Sequence, residues 1–252
     1  MLRMCPARDT VRHTIHVSLT TAEPIALSVD ASTRVSGLLL RPERADLCFV
    51  LAHGAGAGMS HPFMTAVAED LAALGIATLR YQFPYMEHRC RRPDPPRVCQ
   101  ATVRAAVRLA QQLAPGLPIL AGGKSFGGRM TSGAQAAAPL AGAVGLAFLG
   151  FPLHPPKRPE DKRGAHLFEV HIPMLFLQGT RDALAELELI EPLVTKLGSR
   201  ATLKLLEAAD HSFHVPARAG RTDAQVRSEM LGTLAAWSRR LISADRSDPR
   251  TG

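Results

Sequence analysis

The sequence predicts an α/β fold with a mostly parallel central sheet and helices on both of its faces. Apolar, strand-like runs alternate with amphipathic helical segments through most of the chain, as expected when helical crossovers connect parallel strands. The length of 252 residues suits one large α/β domain or two small ones. Hydrophobic residues make up 46% and charged residues 21% of the chain, which excludes wholesale disorder.

Each element follows from its local pattern. Phe63, Val67 and Leu71 recur at helical spacing, with Ser60 as a candidate cap and Gly75 as a stop signal. The same reasoning predicts strands at residues 35–40, 47–52, 76–80, 118–123, 144–151, 173–178 and 202–206. It predicts helices at residues 62–74, 100–113, 126–138, 186–197 and 224–241.

The two ends of the chain differ from this alternation. Residues 11–19 place an apolar side chain at every second position, which predicts an antiparallel edge strand. Residues 1–33 are therefore expected to add an edge-strand segment to the domain formed by residues 34–242, and residues 243–252 to form a frayed tail. Residues 154–171 are polar and proline-rich, and this excursion is too short for a large lid.

The net charge of +8 and the pI near 9.9 raise the question of an acidic partner. The densest basic cluster consists of Arg89, Arg91, Arg92 and Arg97, interleaved with prolines. We interpret residues 89–97 as a solvated loop, and recruitment of an acidic substrate or partner is the alternative. No nucleic-acid-binding motif accompanies the cluster, so no nucleic acid partner is expected.

Other function classes are disfavoured by composition. No apolar run reaches the roughly 18 residues of a membrane helix, and the amino terminus lacks a continuous apolar signal segment. Cys5, Cys48, Cys90 and Cys99 form no CxxC pair, which favours a reduced, cytoplasmic setting. The histidines have no metal-binding spacing, so neither a metal nor a cofactor is expected.

A G-x-S-x-G motif at Gly123, Ser125 and Gly127 lies between a predicted strand and a predicted helix. A nucleophilic serine on a tight strand-to-helix turn requires this context, with small residues two positions before and after it. The serine then lies at a helix start, where backbone dipoles favour a developing oxyanion. Ser125 is therefore the candidate nucleophile.

A phosphate-binding loop is the rival interpretation, because Gly123, Lys124 and Ser125 match the end of the Walker A motif. That motif needs a glycine at the position of Pro118, which lies within a predicted strand and has no backbone N–H. The phosphate-loop interpretation therefore fails.

An acid and a histidine follow in the order that a hydrolase of this type requires. Asp182 comes just after a predicted buried strand, and His211 lies in the loop after the last strand. His211 would accept the proton of Ser125, while the acid would fix its tautomer and stabilise the imidazolium. Asp210 is the alternative acid, but adjacent residues rarely orient each other's side chains, so we prefer Asp182.

A glycine-rich segment at residues 53–58 follows another buried strand. We expect an oxyanion hole formed by the backbone N–H groups of Ala55 and Phe126. The dinucleotide fingerprint G-x-G-x-x-G is broken at Met59, and His53 is expected to order the loop rather than to catalyse.

Six segments carry a family resemblance. They are HGAG at 53–56, RYQFPY at 80–85, GGKSFGGRM at 122–130, GFPLHPP at 150–156, QGTRD at 178–182 and ADHSF at 209–213. The set resembles the small α/β-hydrolase family related to dienelactone hydrolases, which includes the hydrolase-like domain of the non-specific-lethal chromatin complex subunit. The resemblance covers residues 35–241 and implies an α/β-hydrolase fold with Ser125, Asp182 and His211 as the triad. True dienelactone hydrolases have a cysteine nucleophile, so their lactone substrate is not carried over.

The sequence thus predicts a serine hydrolase that cleaves an ester, thioester or related acyl bond of a small-molecule substrate. The alternative is a catalytically silent protein of the same fold that binds partners through its basic surface.

Overall fold

The structure is a computed structural model of the chain, and it describes residues 21–247. In this part of the chain, eight strands form one sheet and six α-helices pack around it. The strands are β1 (Glu23–Ser28), β2 (Arg34–Leu40), β3 (Leu47–Ala52), β4 (Ile76–Tyr81), β5 (Ile119–Lys124), β6 (Ala143–Leu149), β7 (Met174–Gly179) and β8 (Ala201–Leu206). The helices are α1 (Pro62–Ala73), α2 (Pro84–Glu87), α3 (Pro96–Leu113), α4 (Phe126–Ala137), α5 (Leu187–Leu197) and α6 (Asp223–Ser247).

The strand order is β1-β2-β4-β3-β5-β6-β7-β8. β1 and β2 run antiparallel to their neighbours, and all other pairs are parallel. The predicted α/β class with a mostly parallel sheet is therefore confirmed. β3, β4 and β7 are buried along their whole length, as expected for parallel strands covered on both faces.

The sheet separates two hydrophobic clusters. One face packs against α3, α4 and α5 through residues such as Val103, Ala134 and Leu193. The other face packs against α1 and α6 through residues such as Leu71 and Trp237. The carboxyl ends of the parallel strands meet at one edge of this three-layer structure, where open α/β sheets place their ligand sites.

Several element bounds differ from the prediction. The strand predicted at residues 11–19 lies outside the described residues. The antiparallel edge strand among the described residues is β1, which was not predicted. α3 begins at Pro96, because proline is favoured in the first turn of a helix. α6 continues to Ser247, so the predicted helix end at residue 241 and the frayed tail from residue 243 are wrong as far as residue 247.

The middle of the excursion after β6 packs against the helices on one side of the sheet. It contains a 3₁₀ segment, Lys162–Glu169, which contacts α4 and α5 and buries Leu167. Because this segment lies against the side of the domain, the carboxyl edge of the sheet near Ser125 stays open to a substrate.

Candidate active site

Ser125 lies between β5 and α4 in a backbone conformation that residues other than glycine rarely adopt. Its φ is 50° and its ψ is −115°, so the residue is strained, and such strain is concentrated at functional sites. Its N–H donates to the Leu149 carbonyl oxygen at 3.2 Å, which fixes the turn against the end of β6. The hydroxyl group is thereby held above the centre of the sheet.

Two glycines permit this turn, because the backbone at both positions lies too close to carbonyl groups of the preceding segment for a side chain to fit. A β-carbon at Gly123 would lie 2.3 Å from the Ala52 carbonyl oxygen. A β-carbon at Gly127 would lie 2.6 Å from the carbonyl oxygens of both Ala52 and His53. Real side chains do not approach so closely, so the small residues around Ser125 are a steric requirement of the packing between α4 and β3.

The structure brings Ser125, His211 and Asp182 together. The His211 Nε2 atom is 2.8 Å from the Ser125 Oγ, and its Nδ1 atom is 2.7 Å from the Asp182 Oδ2. In the neutral imidazole, the carboxylate partner requires the proton on Nδ1, which leaves Nε2 free to accept the serine proton. The Asp182 side chain is fully buried, whereas that of His211 is 23% exposed.

Asp182 is fixed by three donors. Its Oδ2 accepts hydrogen bonds from the Gln178 side-chain amide and from His211, and its Oδ1 accepts one from the Leu184 N–H at 2.8 Å. The Gln178 carbonyl oxygen in turn accepts from the Phe151 N–H at 2.9 Å. The carboxylate is therefore oriented by groups from β7 and from the loop that follows it.

Asp210, the alternative acid, has a different role. Its Oδ1 accepts from the backbone N–H groups of Ser212 and His214, at 2.8 and 3.0 Å. These bonds close the turn that carries His211, so Asp210 shapes the loop instead of contacting the imidazole.

The loop bearing His211 is anchored by Lys124, the residue before the serine. The Lys124 Nζ donates to the His211 carbonyl oxygen at 2.5 Å and lies 5.2 Å from the centre of the Phe213 ring. Phe213 also stacks on Phe63 of α1. Burial lowers the pKa of Lys124 to about 8, although the charges of Asp182 and Asp210 act in the opposite direction.

The glycine-rich loop after β3 is ordered by polar side chains of the next strand and loop. The Gln82 side chain accepts from the Met59 N–H at 3.0 Å, and Arg80 donates to the Met59 carbonyl oxygen at 3.1 Å. The Tyr85 hydroxyl accepts from the Gly56 N–H at 3.2 Å. These contacts hold the loop beside Ser125.

His53 is a buried, neutral member of the same loop. Its Nε2 accepts from the Phe83 N–H at 3.2 Å, so the proton resides on Nδ1, which donates to the Gly54 carbonyl oxygen at 2.7 Å. Burial lowers the pKa of His53 to about 4. The expectation that His53 orders the loop agrees with these contacts.

The predicted oxyanion donors lie on the two segments that flank the serine. Ala55 lines the cavity at Ser125, and Phe126 is the first residue of α4, where an N–H has no intrahelical acceptor. Within residues 21–247, neither N–H donates a hydrogen bond to a protein acceptor. Both donors are therefore available to a ligand.

A cavity of about 350 Å³ opens at Ser125. Its wall is partly apolar, and Lys124, Ser125, His211 and Ser212 contribute its polar side. The apolar part is formed by Ala55, Ala57, Phe63, Met64 and Leu184. A cleft of this size and lining suits a small ligand with an apolar portion.

The fold and this hydrogen-bonded arrangement define the class of α/β hydrolases, in which a serine on a strand-to-helix turn lies at the carboxyl edge of a mostly parallel sheet. A family model described as an alpha/beta hydrolase domain matches residues 45–239. Since the match covers most of the chain, the protein belongs to the α/β-hydrolase family.

Solved structures support the same fold. A dienelactone hydrolase from Anabaena variabilis is 21% identical with a TM-score of 0.70, and the match covers 88% of this chain and 98% of that one. A serine hydrolase homologue from Coxiella burnetii is 19% identical with a TM-score of 0.69, covering 85% and 98%. A serine hydrolase without lid from Xanthomonas campestris is 20% identical with a TM-score of 0.68, covering 86% and 95%.

The sequence patterns missed the residues that orient the candidate triad. Gln178 binds Asp182 four residues further on, and Lys124 binds the distant His211 carbonyl oxygen. Tyr85 binds Gly56 of the glycine-rich loop, and no motif spacing marks any of these contacts. Among the described helices, none is long and apolar enough to cross a membrane.

Replacing Gly127 with alanine tests the steric requirement at the turn. Although alanine favours a helix, its β-carbon would clash with two carbonyl oxygens, and we expect a loss of about 1–3 kcal/mol in the free energy of unfolding. Gly232, an exposed glycine within α6 with open space around it, is the matched control. Gly232→Ala should stabilise by about 0.5–1 kcal/mol in the same urea titration, and equal effects at both positions would contradict the steric argument.

The neutral state of His53 predicts a pH-dependent stability. Its pKa is lower in the folded chain than the ordinary value of 6.5, so unfolding takes up a proton between about pH 6.5 and about pH 4. The free energy of unfolding should therefore fall on acidification. The loss between pH 7 and pH 5 should be about 2 kcal/mol smaller in His53→Gln than in the wild type. Urea titrations at both pH values measure this difference, and parallel losses would show that His53 is not the group responsible.

Proposed function

We propose that the protein is a serine hydrolase that cleaves an ester, a thioester or a related acyl bond, with Ser125 as nucleophile, His211 as general base and Asp182 as orienting acid. The observation that carries this proposal is the continuous chain of short hydrogen bonds from Asp182 through His211 to Ser125, at the wall of a cavity. An acyl-transfer mechanism needs these three roles in this geometry.

In the first half-reaction, the Ser125 Oγ attacks the acyl carbon while its proton passes to the His211 Nε2. Asp182 accepts a hydrogen bond from Nδ1 and stabilises the imidazolium that forms. The N–H groups of Ala55 and Phe126 bind the negative oxygen of the tetrahedral intermediate. The C–O or C–S bond then breaks, and His211 returns its proton to the departing alcohol or thiol.

In the second half-reaction, water attacks the Ser125 acyl-enzyme and His211 accepts its proton. The same two N–H groups bind the second oxyanion, and collapse of this intermediate releases a carboxylic acid and restores the serine hydroxyl. No redox step or external cofactor enters this sequence, since every transferred proton moves between water, substrate, Ser125 and His211.

The cavity dimensions favour a modest substrate. A volume of about 350 Å³ accommodates a small acyl group with its leaving group, and the apolar wall favours a hydrocarbon portion. The excursion at residues 154–171 contributes no residue to this cavity, which supports a site with a minimal lid. Within the family, we propose kinship with dienelactone hydrolases, which the likeness to the Anabaena variabilis structure supports.

The alternative is a catalytically silent protein that uses the fold for partner binding. Each member of the candidate triad is held by further hydrogen bonds, and Ser125 retains a strained backbone. Partner binding through a basic surface requires neither feature, so these observations favour the enzyme.

A fluorophosphonate probe tests the nucleophile. We expect stoichiometric labelling of the folded protein, with the adduct located at Ser125 by mass spectrometry and absent from Ser125→Ala. Ser212 lines the same cavity, so Ser212→Ala is the matched control and should still be labelled. Labelling that persists in Ser125→Ala, or that never occurs in the folded wild type, would contradict the proposal.

A pair of aspartate variants tests the acid. Asp182→Asn removes the charge that fixes the imidazole tautomer and should lower kcat by about 10⁴ on a chromogenic ester. Asp210→Asn keeps an oxygen that can accept the two turn hydrogen bonds and removes only a charge that does not contact the imidazole, so it should have a much smaller effect. Steady-state rates on esters of varied acyl length measure both variants, and the reverse order of effects would assign the acid to Asp210.

A further inference from the structure

A second cavity lies on the outer face of α4, separate from the cavity at Ser125. Its volume is about 400 Å³. It is an open cleft bordered by the start of α3, by α4 and by the 3₁₀ segment Lys162–Glu169, and neither Ser125 nor His211 lines it. The proposed hydrolytic mechanism makes no use of this cavity.

The cavity wall contains an arginine without a carboxylate partner. The Arg129 Nε is buried and has no hydrogen-bond partner, and within residues 21–247 its guanidinium group forms no ion pair. The guanidinium group lies 5.7 Å from the centre of the Phe126 ring. Burial lowers the pKa of Arg129, and the nearby charge of Arg163 lowers it further.

Arg163 increases the excess of positive charge. Like Arg129, it forms no ion pair with any residue between 21 and 247, and its positive charge disfavours the charged form of Arg129. Burying or confining an unpaired charge is costly, and two like charges add to that cost. A bound anion would relieve both effects.

Gln100 and His166 complete the polar end of the cavity. The Gln100 amide lies against α4, where a β-carbon at Gly133 would be only 2.7 Å from it. His166 lines the cavity, and its Nε2 is 2.7 Å from the Ser132 Oγ. Burial and the charge of Arg129 lower the pKa of His166. The Ser132 hydroxyl donates to the Arg129 carbonyl oxygen at 3.1 Å, so the neutral His166 imidazole donates from Nε2 to the Ser132 Oγ. His166 becomes a donor through Nδ1 when a bound anion favours the imidazolium.

The remainder of the wall is mostly apolar. The apolar part of the wall is formed by Pro96, Met130, Ala136 and Ala137. Glu169 also lines the cavity, and its side chain is exposed. A ligand that fills the cavity therefore needs an apolar body as well as an anionic head.

We infer that this cavity is a binding site for a small organic anion, whose phosphate or carboxylate head contacts Arg129, with Gln100 and His166 as further donors. A guanidinium group binds either head through paired N–H donors, and the apolar wall accommodates the body of the ligand. The basic loop that leads into α3 ends at Pro96, so its arginines add a positive field that attracts such anions.

The test is calorimetric titration of the wild-type protein with phenyl phosphate, benzoate and phenol, which share an aromatic body and differ in head group. At least one of the two anions should bind, and phenol should not. Comparison of the two anions identifies the preferred head. Added salt should weaken the binding, because exposed and partly exposed charges are screened.

Charge variants locate the binding. Arg129→Met should weaken it about tenfold or more, and Arg163→Gln should weaken it less. Glu169→Gln should strengthen it, because it removes a negative charge from the cavity wall. Arg240 is exposed on α6, in the opposite helical layer, so Arg240→Met is the control with the same change in charge and should bind as the wild type does.

Nuclear magnetic resonance of the histidine rings shows at which of the two cavities the anion binds, without the need for a variant. Saturation with the anion should shift the His166 ring signals and raise its pKa, since a bound anion favours the imidazolium. The inference is overturned if neither anion binds, if phenol binds equally well, if Arg129→Met and Arg240→Met have equal effects, or if His211 responds in place of His166.

Discussion

The contact between the start of α4 and the end of β3 is the constraint on which the candidate site depends. Without side chains at Gly123 and Gly127, the backbone of the turn approaches the Ala52 and His53 carbonyl groups closely. This approach positions Ser125 between the first N–H of α4 and the N–H groups of the glycine-rich loop. The proposed nucleophile and its proposed oxyanion donors are thus assembled from backbone packing alone, before the side chains of the candidate triad contribute.

Around this contact, polar groups of the site have defined partners. Asp182 accepts from three donors, and both ring nitrogens of His53 are used. Lys124 connects the turn before the serine to the loop that carries His211. Among buried groups such bonds are strong and unpaired groups are costly, so this network fixes the side chains of the candidate site.

The sequence predicted the parts that local patterns encode. Buried apolar runs located the seven strands from β2 to β8, and helical spacing located the five long helices. β1 was not predicted, although Ile25 and Leu27 alternate within it, because the strand is short and only one of its six residues is buried. α2 has only four residues, too few for a periodic pattern. The bounds of α3 shifted because Pro96 initiates a helix where a proline-rich loop was expected.

For the site, chain order and strand ends sufficed to select Ser125, Asp182 and His211, which the structure brings within hydrogen-bond distance. The residues that orient them were not predictable in the same way. Gln178 lies inside a buried strand, where its amide indicates that a polar partner exists but does not identify that partner. Lys124 matched part of the phosphate-loop motif, which drew attention away from its contact with the loop of His211. No sequence pattern predicts the cavity on α4, because Arg129 and His166 are brought together only by tertiary packing.

The backbone strain at Ser125 has a consequence for how such a sequence changes over time. A positive φ of this kind costs on the order of 1–3 kcal/mol, and glycine at the same position would avoid most of it. Selection for stability alone would therefore replace the serine, since a more stable chain would result from a single substitution. A lineage that kept the fold but no longer needed the hydroxyl group would drift toward glycine at residue 125. A serine in this conformation therefore indicates selection for something other than stability.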